Sequence, residues 1–257
     1  MKINKTSIMI LTFLIVSSCS QPTEGKYIEW FGDDEIANEF VLKGINHYLN
    51  YEQEMAYTYF KGSLEVDPSL FASHVMLAWM SPVGEIETMH VNKAKELVEG
   101  KNENSQLFVS TFDLPLGEGR RAKLHEKWSQ MHELEPDGNF IHYYYAVSKA
   151  TDEETIAELE VIVEKLKSED KSYSYALNNL AYLYYSSGDK VKAKKYFDSF
   201  VETNPNGYNS QDSMGEYYFM EKNYEEALIH YKKSVELFPG STNGFNKIKE
   251  INTLLGQ

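Results

Sequence analysis

The sequence predicts an all-α solenoid, built of antiparallel helix pairs stacked in a row: about six pairs, with one C-terminal helix that caps them. Three observations predict it. First, like residues recur 34 positions apart: Ala181 and Gly215, Ala193 and Ala227, Phe197 and Tyr231, Pro205 and Pro239. Pro68 and Pro136 stand two such periods apart, and Pro136 and Pro205 two periods plus one residue. Second, each frame carries two stretches with apolar residues at helical spacing, as Ala227, Leu228, Tyr231 and Val235 show. Third, the second stretch of four frames ends near a proline, which cannot continue a helix. A helix pair of this size cannot bury its apolar stripe alone, so its neighbours must cover it.

The elements follow in chain order. Lys2 and Lys5 precede an apolar run from Ile8 to Val16. Nine helical residues span only ~14 Å, short of a ~30 Å hydrocarbon core, so the run reads as a secretory leader. Val16-Ser17-Ser18-Cys19 resembles the lipobox of bacterial lipoproteins. That resemblance implies cleavage before Cys19 and lipid attachment to it. Two or more acyl chains hold a protein firmly on a bilayer, at ~0.8 kcal/mol per buried CH₂. Ser20 rather than Asp follows, which by analogy with Gram-negative sorting points to the outer membrane. The expected location is therefore the bacterial cell envelope. Residues 1–18 are read as signal peptide, 19–26 as lipidated tether and 27–257 as repeat domain.

The repeat frames open at Ala37, Phe71, Ser105, Asn139, Ser174, Tyr208 and Thr242, all steps being 34 except one of 35. In the last full frame, one helix is expected over Gln211 to Met220 and a second over Tyr224 to Phe238, stopped by Pro239-Gly240. Gly188-Asp189 is the expected turn inside the 174 frame. Asp152 is the expected cap of the helix that carries Ile156, Leu159, Val163 and Leu166. Pro115 comes early, so the first helix of the 105 frame must be short. Thr242 to Leu255 closes the array.

These residues resemble the tetratricopeptide-repeat (TPR) family. Its pattern asks for small residues at the eighth and twentieth positions, supplied by Gly44 and Ala56, Ala181 and Ala193, and Gly215 and Ala227. It asks for a bulky twenty-fourth residue, supplied by Phe60, Phe197 and Tyr231, and an aromatic eleventh, supplied by Tyr184 and Tyr218. The middle frames depart: His90 and Glu158 stand where the second small residue belongs.

The resemblance implies a superhelix whose first helices line a concave groove through their second, fifth, ninth and twelfth positions. These are Asn38, Val41, Ile45 and Tyr48, then Ala72, Val75 and Trp79, then Phe140, Tyr143 and Val147, then Tyr175, Asn178, Tyr182 and Tyr185, and last Asn209, Asp212, Glu216 and Phe219. The set is aromatic, amide-bearing and slightly acidic, with no Lys or Arg. It suits an apolar or basic protein segment and disfavours a C-terminal carboxylate. Tyr and Trp give contact area at low entropy cost. Tyr184 and Tyr218 are read as packing residues.

Composition narrows the function further. The net charge is −14, a field that repels phosphate backbones and anionic lipid surfaces. No nucleic acid is expected, and contact with the membrane is expected through the lipid alone. A single cysteine permits no internal disulfide and no cysteine cage for a metal. His125-Glu126 and His132-Glu133 lack the i, i+4 spacing of a metal pair and are read as exposed structural histidines. Gly117-Glu118-Gly119-Arg120-Arg121 lacks the Lys-Ser/Thr of a phosphate loop and reads as a turn. Asp33-Asp34 and Glu153-Glu154 fit helix starts. No metal or cofactor is expected.

The reading is a membrane-anchored, non-catalytic scaffold that holds a partner polypeptide. Two alternatives stay open: an enzyme with its site in the irregular middle, residues 80–120, or a self-associating structural envelope lipoprotein. Clustered polar groups in a deep pocket would favour the first alternative, and concentration-dependent size the second. Oligomeric state is open.

Overall fold

The computed structural model describes residues 26–256, so the leader and Cys19 lie outside the described residues. Within that range the chain is a TPR-type α-solenoid. Helices α1 (Glu35–Leu49) and α2 (Gln53–Val66) form the first pair, α3 (Phe71–Met80) and α4 (Glu85–Leu97) the second. The third is α5 (Glu103–Ser110), a 3-10 turn (Thr111–Asp113) and α6 (Arg120–Leu134). Then come α7 (Asn139–Val147) with α8 (Asp152–Ser168), α9 (Ser174–Ser186) with α10 (Lys190–Thr203), and α11 (Tyr208–Met220) with α12 (Tyr224–Leu237). Helix α13 (Thr242–Leu255) ends the row. The helices that pack extensively are neighbours in sequence, as a solenoid requires.

Five first helices start where the 34-residue frame places them. The other two start two residues early, at Glu35 and Glu103, because Asp34 and Asn102 accept backbone N–H groups there as N-caps. Helix α11 starts at Tyr208, three residues before the expected Gln211. The cap of α8 is Thr151 rather than Asp152: Thr151 and Glu154 bond reciprocally to each other's backbone. The shortness expected of the first helix in the 105 frame holds, at eight residues.

Hairpins close in two ways. In the regular pairs a ring lies against backbone where a side chain is missing. A Cβ on Gly44 would stand 2.9 Å from the Phe60 ring, and one on Gly215 would stand 3.0 Å from Tyr231. In the 71 and 139 frames a side-chain hydrogen bond spans the same gap. His74 Nδ1 meets His90 Nδ1 at 2.8 Å, and His142 Nε2 meets Glu158 at 2.7 Å. The residues that break the family pattern are thus the ones that bridge the pair.

Residues 26–33 precede the first repeat and do not begin it. They cross to the third and fourth hairpins. Ile28 N–H donates to Glu135, Glu29 N–H to Ser105, Asn102 to the Tyr27 carbonyl and Asn104 to the Lys26 carbonyl. Trp30 is buried against Phe140 and Phe108, with ring centres at 4.9 and 5.3 Å. Helix α13 covers Ala227, Leu228 and Tyr231 with Ile251, which is fully buried.

Candidate functional site

The first helices do line one face, and the row curls tightly enough that the α1–α2 turn reaches across it. Tyr51 Oη bonds the Tyr143 hydroxyl at 2.7 Å, and Asn179 Nδ2 donates to both. Ser174 donates to Asn50 at 2.7 Å, and Tyr208 donates to Glu54. The concave face is therefore divided in two by the chain itself.

This closure sorts the residues expected in the groove. Val41, Ala72, Val75, Phe140, Tyr143, Tyr175 and Asn178 are buried among the chain's own helices and offer almost no surface. Tyr48, Trp79, Tyr182, Tyr185, Asp212, Glu216 and Phe219 stay partly open. Trp79 belongs to an aromatic centre, stacked near Phe140 and edge-on to Phe108 and Trp128. Tyr182 donates to Glu216 at 2.7 Å and Tyr185 to Glu221 at 2.8 Å. Tyr184 is a packing residue: buried, it stacks on Tyr196 at 5.4 Å and donates to Glu160.

The C-terminal part of the face has a distinct chemistry. At the second and fifth positions of the 174 and 208 frames stand Tyr175, Asn178, Asn209 and Asp212. Each leaves one polar atom buried and unpartnered: Tyr175 Oη, Asn178 Oδ1, Asn209 Nδ2 and Asp212 Oδ1. A buried polar atom without a partner costs ~1–3 kcal/mol, and these four fall at equivalent positions of adjacent frames. Carboxylates gather around them. Burial pushes the Asp212 carboxyl up to about 6, helped by Glu216 and Glu54 and opposed by the hydrogen bond from Asn243. Burial, Glu216 and Asp212 likewise raise the Tyr182 hydroxyl above its usual range. Donors and acceptors mix along this row, and the surrounding carboxylates make it acidic.

The histidines of α6 are not exposed as expected. His132 stacks near both His142 and Tyr145, at 4.6 and 4.7 Å, and His125 stacks on the same Tyr145 and bonds Ser148 at 2.9 Å. Burial lowers both imidazoles below their usual pKa, so they serve as neutral plates. Among the described residues no three metal-ligating side chains converge. The irregular middle holds a cavity of about 780 Å³, lined mainly by rings and aliphatic groups rather than by clustered acids and bases. Gly117–Gly119 lies in the turn before α6, with both glycines at positive φ.

Comparison with known proteins agrees with this architecture. The tetratricopeptide-repeat family model matches residues 175–207, the α9–α10 hairpin and its exit. No curated protein matches the sequence. Among solved structures, yeast Tom70 shares the fold, with TM-score 0.53, 13% identity, and coverage of 81% of this chain and 46% of that one. The Cut9 and Hcn1 hetero-tetramer of the APC/C gives TM-score 0.49 and 16% identity over 84% of this chain and 45% of that one. The type IV pilus biogenesis factor PilW gives TM-score 0.45 and 13% identity over 87% of both chains. The chain thus spans less than half the length of the first and of Tom70.

Proposed function

We propose that the chain is a non-catalytic scaffold that takes an extended, basic segment of another protein onto the concave face of α9 and α11. The observation that carries this reading is the row of unpartnered atoms on Tyr175, Asn178, Asn209 and Asp212. A segment laid along it supplies backbone N–H and C=O groups to these atoms, and its cations meet Asp212, Glu216 and Glu54. The α1–α2 turn covers the row through the Ser174–Asn50 and Tyr208–Glu54 bonds, so uptake requires this turn to swing aside. Tyr182, Tyr185 and Phe219 then form the rim. The proposal places the scaffold in the bacterial cell envelope, tethered through lipid on Cys19.

A random-peptide library panned against the chain tests the ligand class. Enrichment of Lys- and Arg-bearing segments, lost in Asn178→Ala and Glu216→Ala proteins that stay folded, supports it. Enrichment without charge bias, or enrichment that both variants retain, overturns it. A cysteine pair at positions 50 and 174 tests the gate: when oxidised it must block a selected peptide, and when reduced it must readmit it. For the tether, Cys19→Ser in the full chain must move the protein from the membrane fraction to the soluble one.

A further inference from the structure

The 780 Å³ cavity in the middle of the molecule lies on the other side of the Tyr51–Tyr143 divide and has its own chemistry. Its walls come from six segments: α1, α3, the α3–α4 connection with the start of α4, the 3-10 turn, α6 and α7. Trp79, Trp128, Tyr48, Tyr144, Phe112 and Leu124 give it an aromatic and aliphatic lining. Val83 lines it from a connecting loop and is still 87% exposed, an apolar group left at the mouth. The volume lies within the ~300–1,000 Å³ of small-molecule sites, which are mostly apolar with a few placed polar groups.

The polar groups here are unusual for this chain. The sequence holds only two arginines, Arg120 and Arg121, and both line the cavity, in a protein of net charge −14. Arg120 Nη1 donates to the carbonyls of Leu114 and Pro115, which fixes one edge of its guanidinium. Among the described residues neither arginine is ion-paired, and Arg121 is exposed. Both sit in the first turn of α6, where no acid offsets the helix dipole and cations are disfavoured. Their position therefore works against helix stability and toward binding an anion. Tyr48 Oη accepts from Tyr144 at 2.9 Å and keeps its own proton to donate. Glu87 is the acid among the lining residues, so the lining carries two positive charges and one negative.

We infer that this cavity binds a small amphipathic carboxylate, with the apolar body among Trp79, Trp128 and Leu124 and the carboxylate at Arg120 and Arg121. Guanidinium forks bind carboxylates through paired hydrogen bonds. The site uses none of the residues of the α9–α11 row, so it stands or falls independently of the protein-binding face.

Trp79 and Trp128 line the cavity, so an occupant alters tryptophan emission. The test is titration of the full chain with dodecanoate, methyl dodecanoate and dodecyltrimethylammonium, each below its micelle concentration. Dodecanoate is expected to give a saturable change, at least about tenfold tighter than either analogue. Arg121→Ala is expected to weaken dodecanoate about tenfold and leave the methyl ester unchanged. Glu87→Gln is expected to tighten dodecanoate. No saturation with dodecanoate, equal affinity for the three amphiphiles, or an unchanged Kd in Arg121→Ala overturns the proposal. Val147→Trp, whose indole adds bulk to the cavity wall, is expected to weaken dodecanoate and the methyl ester alike. Unchanged affinity for both there places the amphiphile elsewhere and also overturns it.

Discussion

The C-terminal hairpins and the middle hairpins solve one packing problem with different chemistry. In α9–α12, Ala181, Ala193, Gly215 and Ala227 let two backbones approach, and Phe197 and Tyr231 fill the gap with rings that are fully buried. In α3–α4 and α7–α8 the first small residue stays, as Ala78 and Ala146, but the second is replaced, and His74–His90 or His142–Glu158 bridges the two helices. The family model matches only in the first region, yet the row of hairpins continues through the second. The architecture therefore tolerates loss of the second small residue where a polar bridge joins the two helices. The middle also leaves room. Helix α5 stops after eight residues, and the space beside it is the arginine-flanked cavity.

Five variants would break or sharpen this comparison. The largest effect is expected in the ring-filled region: Phe197→Ala should lose ~3–5 kcal/mol in urea unfolding followed by circular dichroism. Next, His142→Ala should cost ~1–3 kcal/mol, because it strips Glu158 of its partner and His132 of its stack. Replacing both members of the other pair, His74→Leu with His90→Ala, should instead be nearly neutral, within about 1 kcal/mol. If that double variant is as damaging as His142→Ala, the polar bridge is not a substitute for small residues. All three tryptophans lie in the N-terminal strap (residues 26–33) and the middle hairpins, so their emission reads that region while circular dichroism reads the whole.

A pH-dependent effect is expected at Glu135, where burial pushes the carboxyl up to about 7 against the Ile28 and Asn104 hydrogen bonds that lower it. The folded state there binds its proton more tightly than the unfolded one, so the group's contribution improves as pH falls from 8 toward 4.5. Glu135→Gln should therefore stabilise by roughly 1–2 kcal/mol at pH 8, with the gain fading by pH 5. Its amide can also serve Asn104 Oδ1, which lacks a partner. The smallest effect is expected at the groove rim. Tyr182→Phe should change stability by less than about 1 kcal/mol while weakening a selected basic peptide.

What the sequence made legible was periodic. The frame located five helix starts to the residue, because proline, glycine and apolar spacing are local signals. Contacts between Tyr27 and Asp137, Tyr51 and Tyr143, or Glu54 and Tyr208 have no period and left no trace. For that reason Tyr143, Tyr175 and Asn178 looked open and are covered. The two arginines were visible as a pair, but their neighbours Trp79, Trp128 and Tyr48 come from distant frames. Trp30 was a missed signal: a large ring ahead of the first repeat frame needs a place to hide.

The strap has a mechanical consequence. Because Asn104 and Asn102 hold the backbone carbonyls of Lys26 and Tyr27, the chain upstream departs from the waist of the molecule, at its third hairpin. A leash fixed to one end of a rod lets it stand upright, whereas one fixed at mid-length lays it on its side. If Cys19 carries lipid, the solenoid is held by its flank, alongside the bilayer but kept off it by its own negative charge, with both ends free to swing.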